Sequence, residues 1–200
     1  GLGFQLIHWP RALIDALVAR GHRVIAFDNR DSGRSSYLDG PVPTLRQKLT
    51  RRAPPGAYDL GDMAQDSVAL LDHLGIERAH VVGMSMGGMI AQTMAARTPN
   101  RVASLTSIFS TTGARSVGQP GLRMMLELSR KPAMTRDAFV ARRMVLSRFI
   151  GGRGFPNDAE EAREIFGRSF DRGGLAQHAG TGRQIGAIIA SGDRTAELSG

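Results

Sequence analysis

The stretch VVGMSMGGMI, residues 81–90, places a serine between two glycines at the point where an apolar run gives way to a helical pattern. The short run AHVV at 79–82 predicts a strand, and residues 86–97 predict a helix that a Thr-Pro pair ends. Residues 83–87 therefore fit G-x-S-x-G at a strand-to-helix turn, which is the setting in which this motif carries a nucleophile. In such a turn the serine is strained, and its hydroxyl projects from the carboxyl end of the sheet.

The motif predicts a role for the residues of this turn. Ser85 is the predicted nucleophile, and the backbone N–H of Met86, at the start of the helix, is predicted to bind a developing oxyanion. The positions of Gly83 and Gly87 are predicted to require glycine, because larger side chains there would collide with the neighbouring strand and helix. The alternatives are a chance match, or glycines that only let the strand and helix pack closely. A dinucleotide-binding turn needs a glycine where Ser85 stands, and a P-loop needs a Gly-Lys-Ser/Thr sequence that is missing here.

Hydrophobic periodicity on both sides of the motif predicts alternating helices and strands. Residues 38–58 contain four of the nine prolines and no clear period, which indicates a loop or an excursion of the chain. Because predicted helices and strands alternate, the pattern favours an α/β fold with a parallel sheet and helices on both faces. The other predicted helices of this half are 11–19 and the segment from the Asp59–Asp62 cap to Gly75, and the other predicted strands are 24–27 and 102–109.

After Gly113 the pattern is helical only. Asn157 with Glu160 is a predicted capping pair for one of these helices. A run of helices appended to an open sheet is more often a lid than an independent domain. We therefore predict a core domain at 1–113, an all-helical cap at 114–192 and the start of a return to the core at 193–200. The predicted cap helices are 122–129, 138–150, 159–170 and 175–190.

Composition narrows the function classes. The net charge of +8 is the excess of 26 basic over 18 acidic residues, but the basic residues are almost all arginines scattered along the chain, so we expect no nucleic-acid partner. Cysteine is absent, which excludes disulfides, thiolate zinc sites and cysteine nucleophiles and fits a reducing compartment. No apolar run approaches the roughly 18 residues that a bilayer span needs. We expect a cytoplasmic protein with no membrane span, no metal and no cofactor.

Four stretches carry a resemblance to a known family: GLGFQLIHWP, FDNRDSGRSS, YDLGDMAQDSVALLDHLGIERAHVVGMSMGGMIAQTMA and RVASLTSIFSTTG. They resemble the α/β-hydrolase superfamily, in particular bacterial serine esterases of the polyketide methylesterase and haloperoxidase-like kinds. The G-x-S-x-G turn is the most specific part, and DNRDSGRS is similar to the family's D-x-R-x-x-G-x-S turn. The resemblance covers most of residues 1–113. It implies a partial α/β-hydrolase fold, with a mostly parallel sheet flanked by helices and an all-helical cap.

The resemblance also implies roles for residues outside the motif. In the family, the loop after the third strand supplies a second oxyanion amide, and the spacing within GLGFQLIHW puts that amide on Leu2, with Gly3 as the alternative. His8 is then only a neighbour of the pocket. Asp28 and Arg30 look like the structural pair that pins the family's next turn, and we expect no chemistry from them.

Few residues qualify as the acid and the base of a catalytic relay, which follow the nucleophile in the order Asp or Glu, then His. His178 is the only histidine after Ser85, and Asp171 precedes it in the required order. Both lie in the predicted cap, and a cap that moves rarely supplies a base. The resemblance implies instead an acid and a base on later strands. We therefore expect them after Gly200, and expect this chain to be an internal fragment of a reading frame of about 280–300 residues.

The expected activity of the intact protein is hydrolysis of a small, apolar carboxylic ester through an acyl-enzyme on Ser85. Hydrolysis of a C–C bond, an amide or a lactone, perhydrolysis, and a non-catalytic binding module stay open as alternatives. The serine argues against epoxide hydrolases and haloalkane dehalogenases, which resemble this fold but need Asp there. Apolar cap residues are expected either to line an acyl pocket or to form core. They are Met124, Met125, Phe139, Met144 and Phe149.

Overall fold

The computed structural model describes residues 1–118, 121, 124, 127, 130, 132–152, 154 and 158–199. The chain divides into two units, of which the first comprises Gly1–Gly3, Leu38–Gln119 and Ala179–Gly200, and the second Phe4–Tyr37 and Pro120–His178. The strands are β1 (Ala79–Met84) and β2 (Val102–Ile108). The helices are α1 (Arg11–Val18), α2 (Leu45–Thr50), α3 (Leu60–His73), α4 (Met86–Arg97), α5 (Arg136–Ile150), α6 (Ala159–Gly173) and α7 (Ala176–Ser191). A parallel sheet with helices confirms the predicted α/β class, whereas the division into core and cap stays a prediction.

Within the described residues, the sheet of the first unit consists of β1 and β2, which run parallel. Ala79 pairs with Val102 but His80 pairs with Ser104, so β2 carries one extra residue at its start. The chain passes from β1 to β2 through α4, as a parallel connection requires. The predicted strands 79–82 and 102–109 and the predicted helix 86–97 are confirmed, and β1 extends two residues further than predicted.

Helices α3 and α4 supply most of the core of the first unit. The first turn of α3 is capped reciprocally: Asp59 accepts the Asp62 N–H at 2.9 Å, and Asp62 accepts the Asp59 N–H at 2.8 Å. This confirms the predicted cap. Burying one large apolar side chain contributes about 1.5–3 kcal/mol, so α3 and α4 are held chiefly by this core. The core residues are Leu60, Met63, Ala64, Val68, Leu71, Met86, Ile90, Met94, Val102 and Ala187.

Helix α2 lies within residues 38–58, where the sequence predicts a loop or an excursion, so the loop prediction is wrong for the six residues of α2. Thr44 Oγ1 accepts the Gln47 N–H at 3.2 Å, and Gln47 Oε1 accepts the Thr44 N–H at 2.9 Å. Such a reciprocal cap stabilises a first turn that six residues could not hold by propensity alone. The T-x-x-Q pattern was the available signal, because a helix of this length is too short to show a hydrophobic period.

The second unit contains α1, α5 and α6, which confirm three predicted helices with ends shifted by one to three residues. Asp158 caps α6 by accepting the N–H groups of Glu160 and Glu161 at 2.9 and 3.0 Å. The predicted capping residue Asn157 lies outside the described residues, as does the predicted helix 122–129 apart from residues 124 and 127. In the described ranges, no helix is both long and apolar enough to cross a bilayer.

The predicted strand at 24–27 is wrong, because these residues adopt no regular secondary structure. A strand needs a hydrogen-bonded neighbour, and no described segment pairs with residues 24–27. Ile25 and Phe27 are 38% and 37% exposed, so the segment lacks the two-sided burial that its apolar run predicts. The apolar run indicates that these residues are hydrophobic. Whether they form a strand depends on a neighbouring strand, which the local sequence does not show.

Candidate active site

Ser85 lies alone between β1, which ends at Met84, and α4, which begins at Met86. Its backbone angles are φ 54° and ψ −120°. A positive φ is strained for a residue with a side chain and costs about 1–3 kcal/mol. The strained strand-to-helix turn that the motif predicts is therefore present.

Hydrogen bonds from three directions hold the Ser85 backbone in this conformation. The Ser85 N–H donates to the Ile108 carbonyl, at the end of β2, at 2.9 Å. The Ser85 carbonyl accepts the Met89 N–H of α4 at 3.1 Å and the Ser110 hydroxyl at 2.8 Å. The strained residue is thus over-determined by the strand, the helix and the loop that follows β2.

The glycines of the turn differ in how much space surrounds them. A Cβ atom at Gly83 would lie 2.2 Å from the Gly87 carbonyl oxygen, which confirms the predicted collision there. Among the described residues, a Cβ atom at Gly87 would meet the Gly1 nitrogen at 3.8 Å and no closer atom outside its own helix, so the predicted collision at position 87 stays a prediction. Gly88, for which no role was predicted, is tight instead, since its Cβ would lie 2.7 Å from Ser110 Cβ.

Two polar groups at the turn have no partner within the described residues. Ser85 is half-buried, and its hydroxyl makes no hydrogen bond with any residue that the structure describes. The Met86 N–H likewise has no acceptor in this part of the chain. N–H groups in the first turn of a helix lack intrahelical acceptors, and the helix dipole favours negative charge beside them. The turn therefore presents a hydroxyl next to a site suited to an anion.

The backbone turn at residues 1–3 lies beside the strand-to-helix turn of residues 83–87, called the elbow from here on, in the first unit. The Gly1 nitrogen is the atom nearest to the Cβ position of Gly87, and the Leu2 side chain packs against the core that includes Met86. Gly3 has φ 63°, and its N–H donates to Gln184 Oε1 at 2.8 Å. Of the two amides predicted for the oxyanion, that of Gly3 is therefore engaged. The Leu2 N–H has no acceptor in the residues described.

A family model for the alpha/beta hydrolase fold matches residues 3–177 of this chain. The chain belongs to the α/β-hydrolase family. It is 34% identical over 176 residues to rhodomycin D methylesterase DnrP of Streptomyces peucetius, an alignment covering 78% of this chain and 54% of that protein. It is also 34% identical over 125 residues to a 2-hydroxy-6-oxononadienedioate/2-hydroxy-6-oxononatrienedioate hydrolase of Pseudomonas sp, covering 60% of this chain and 38% of that protein. The chain thus spans about half the length of the methylesterase.

Solved structures support the same fold. The 2-hydroxy-6-oxo-6-phenylhexa-2,4-dienoate hydrolase of Rhodococcus sp. strain RHA1 matches with a TM-score of 0.65 and 19% identity, over 99% of this chain and 65% of that one. The enol-lactonase of Burkholderia xenovorans LB400 matches with a TM-score of 0.60 and 23% identity, over 97% and 64% of the two chains. At these identities the likeness shows the α/β-hydrolase fold alone.

In this α/β-hydrolase, Asp28 is a buried structural acceptor within the second unit. Its carboxylate accepts the Leu6 N–H at 2.7 Å and the Arg34 N–H at 3.0 Å. It also forms a salt bridge with Arg172 of α6, a partner that the sequence does not indicate. Arg30 is half-buried in the same turn, and its predicted pairing with Asp28 stays a prediction. These contacts give Asp28 a role in fixing the turn.

The cap residues considered as acid and base are engaged by other residues of the second unit. Asp171 pairs with Arg136, with Oδ1 and Nε 3.0 Å apart. His178 Nε2 donates to the Ala133 carbonyl at 2.7 Å. Burial lowers the pKa of His178, and the bond to Ala133 opposes that effect. No hydrogen bond joins Asp171 to His178 among the residues described, and their roles as acid and base remain a prediction.

An aromatic cluster with two basic side chains occupies the second unit. The His8 ring stacks on Phe4 with centroids 4.4 Å apart, and burial lowers the pKa of His8 to about 4. The Arg143 guanidinium lies 5.5 Å from the Phe4 ring centroid and 5.1 Å from that of Phe139. Burial lowers the pKa of Arg143 to about 10. At pH 7 the cluster therefore holds a neutral imidazole and a charged guanidinium, which the ring faces stabilise.

The apolar cap residues divide between core and surface. Phe139 is 4% exposed and contacts Phe170 with ring centroids 5.5 Å apart, so it forms core. Phe149 is 48% exposed. Met144 lines an open surface groove of the second unit, and Met125 lies outside the described residues. Pocket lining stays a prediction for Met124 and Met144.

Arg194 is a structural residue that the sequence analysis missed. It is 4% exposed, and its backbone N–H donates to the Thr112 carbonyl at 2.9 Å. Its guanidinium ties the segment after α7 to the helix that begins at the elbow. One arginine among many carried no signal for this role. The acceptors are Met89 O at 2.7 Å, Thr93 Oγ1 at 2.9 Å, Gln92 Oε1 at 3.2 Å and Thr111 O at 2.8 Å.

Proposed function

We propose that the protein containing this chain hydrolyses a carboxylic ester with Ser85 as its nucleophile. The observation that carries the proposal is the backbone of Ser85, which has a positive φ, is hydrogen-bonded to the surrounding strand, helix and loop, and stands before the first N–H of α4. Strain that the neighbouring structure over-determines is concentrated at functional sites. Membership of the α/β-hydrolase family supports the same role for a serine in this turn.

The proposed reaction has two halves. Ser85 Oγ adds to the ester carbonyl carbon while its proton passes to a general base, and the carbonyl oxygen becomes an oxyanion. The N–H groups of Met86 and Leu2 donate hydrogen bonds to that oxygen. The C–O bond to the leaving alcohol then breaks, the alcohol takes the proton from the base, and the acyl group stays on Ser85. Water adds by the same route, which releases the carboxylic acid and restores the hydroxyl.

We propose a methyl ester of an apolar small molecule as the substrate class. The alignment with the rhodomycin D methylesterase covers 78% of this chain, against 60% for the hydrolase of Pseudomonas sp, so the methylesterase shares more of the chain. Hydrolysis of a C–C bond is the alternative that the second relative supports. The turn itself does not discriminate, because both reactions begin with attack of the serine on a carbonyl carbon.

The general base is proposed to be a histidine other than His178. The Nε2–H of His178 donates to the Ala133 carbonyl. Asp171, the acid that would orient the ring, is paired with Arg136. A triad histidine needs one ring nitrogen free for the serine and the other held by a carboxylate. His178→Ala in the full-length protein should therefore keep kcat within about threefold of wild type, whereas loss of a triad base costs about 10³-fold or more.

The test uses the protein expressed from its full reading frame and a set of methyl esters of aromatic carboxylic acids. Release of methanol and formation of acid should be equimolar, and Ser85→Ala should lower kcat by about 10³-fold or more. Ser67→Ala is the matched control and should leave kcat unchanged, because among the described residues that α3 hydroxyl bonds only its own helix, at Met63 O, 3.2 Å away. Full turnover by Ser85→Ala would refute the nucleophile. Cleavage of a vinylogous diketone without methanol release from any ester would favour the C–C alternative.

A further inference from the structure

The backbone turn at residues 1–3 is held by a side chain that lies far along the sequence. Gln184 Oε1, on α7, accepts the Gly3 N–H at 2.8 Å, and the bond is buried. Gln184 is 0% exposed, so water does not compete for this acceptor. A buried bond of this kind is expensive to leave unmade, since the stranded N–H keeps its full desolvation cost. The peptide plane between Leu2 and Gly3 is therefore fixed by Gln184.

Leu2 is anchored on its other side as well. Its side chain packs against the core of the first unit. Peptide groups are planar, so only the two dihedral angles of Leu2 separate the fixed plane after it from the N–H before it. With one plane bonded to Gln184 and the side chain seated in the core, little freedom remains for the Leu2 N–H. A small error at such a donor is costly, because a misplacement of about 1 Å can lower a rate about 10²-fold.

Gln184 is itself held rigidly, because the part of α7 that belongs to the first unit, from Ala179 onward, is closely packed within that unit. A Cβ atom at Gly182 would lie 2.6 Å from Val42 Cγ1, so the helix touches that segment with no space to spare. Ala187 is 0% exposed within the core, and Ser191 Oγ accepts the Leu60 N–H at 2.8 Å. The acceptor for Gly3 is thus carried by a helix fixed on both sides of it. Supports of this kind let a site keep its geometry to within about 0.5 Å.

We infer that Gln184 is a positioning residue, which aims the Leu2 amide at the oxyanion by holding the peptide that follows it. This inference rests on the proposed function, since it needs Leu2 to be an oxyanion donor. Gln184 itself is not proposed to contact a reacting atom. Its removal should lower kcat about 10- to 100-fold, as expected for a displaced oxyanion donor, and should leave KM within about threefold.

The experiment compares Gln184→Met, which keeps the length but loses the acceptor, with Gln184→Glu, which retains an oxygen at the same position. In the full-length protein we expect Gln184→Met to lose kcat as above and Gln184→Glu to stay within about threefold of wild type. Ser191→Ala is the matched control on the same helix, because it loses a bond of equal length to Leu60 without touching the turn. It should lower Tm but leave kcat unchanged.

Three results would overturn the inference. They are a folded Gln184→Met variant with wild-type kcat, an equal fall in kcat for Ser191→Ala, and no recovery of kcat in Gln184→Glu. If Gln184→Met does not fold, Gln184→Asn takes its place, and a folded Asn variant that matches Gln184→Glu in kcat would contradict the inference. Failure of the proposed function is distinguished by the parent protein, because it would then show no ester hydrolysis that depends on Ser85.

Discussion

The two glycines of the motif that flank Ser85, Gly83 and Gly87, are equivalent in the sequence pattern. They differ in the structure in how much space a Cβ atom would have. In Gly83→Ala the new Cβ would lie 2.2 Å from the Gly87 carbonyl oxygen and 2.5 Å from its carbonyl carbon. In Gly87→Ala the nearest atom among the described residues, outside the helix's own backbone, would be the Gly1 nitrogen at 3.8 Å, and the residue has no positive φ to oppose a side chain. The same one-methyl change should therefore have opposite consequences at the two positions.

The magnitude follows from the contact. Ordinary contact begins at 3.4 Å, so Gly83→Ala must displace the first turn of α4 by roughly 1 Å. Overpacking of this kind costs about 1–3 kcal/mol, which should lower the Tm of the full-length protein by several degrees. The displaced turn carries Met86, so kcat should fall about 10²-fold. Gly87→Ala replaces glycine by the best helix former inside α4 and should be neutral or stabilising by up to about 1 kcal/mol.

Both variants are made in the full-length protein, and Tm and kcat for the same methyl ester are measured side by side. The expected pattern is a lower Tm with a large loss of kcat for Gly83→Ala, and an unchanged or higher Tm for Gly87→Ala. Equal losses of Tm at the two positions would refute the packing argument. A stable, fully active Gly83→Ala would show that the backbone of the elbow is not held as the structure describes.

The remaining predictions concern buried ionisable groups, each tested by urea unfolding. Arg172→Met leaves the Asp28 carboxylate buried without its cation and should cost about 3–5 kcal/mol, whereas a loss below about 1 kcal/mol would mean that the pair is not buried as described. Arg194→Met strands buried acceptors on α4 and in the loop after β2 and should cost about 2–4 kcal/mol, and an unchanged unfolding midpoint would contradict it. Burial lowers the pKa of His8 from 6.5 to about 4. Between these pH values the unfolded chain therefore binds more protons than the folded chain. Stability should therefore fall by about 3 kcal/mol between pH 6.5 and 4, and His8→Asn should remove this dependence.

Elements with a strong local signal could be predicted from the sequence. The helix after Ser85 is bounded by the motif before it and a Thr-Pro pair after it, and α4 has the predicted limits. The Asp59 cap likewise placed the start of α3. Residues 24–27 show the limit of this reasoning, because an apolar run gives hydrophobicity but not a pairing partner. Helix α2 shows a second limit, since its capping pattern was the only sign of a helix in the sequence.

The same difference between local signals and long-range contacts applies to the site. Ser85 and its neighbours follow from five consecutive residues, so a local motif suffices. The contacts that hold the site together join residues distant in sequence: Gln184 reaches Gly3 across 181 positions, and Arg172 reaches Asp28 across 144. A single sequence contains no record of such pairs, and glutamine and arginine are unremarkable residues on helices. The steric difference between Gly83 and Gly87 also depends on the geometry of the turn, which the motif does not encode.

The most direct measurement of the central claim is the mapping of a covalent adduct on the full-length protein. Trypsin releases residues 79–97 as one peptide, in which Ser85 is the only serine. After reaction with a fluorophosphonate, this peptide should carry one phosphonyl group per protein molecule, and Ser85→Ala should carry none. An unmodified 79–97 peptide in a protein that hydrolyses esters, or an adduct at another serine, would contradict the claim that the hydroxyl of Ser85, the residue with the strained backbone, is the nucleophile.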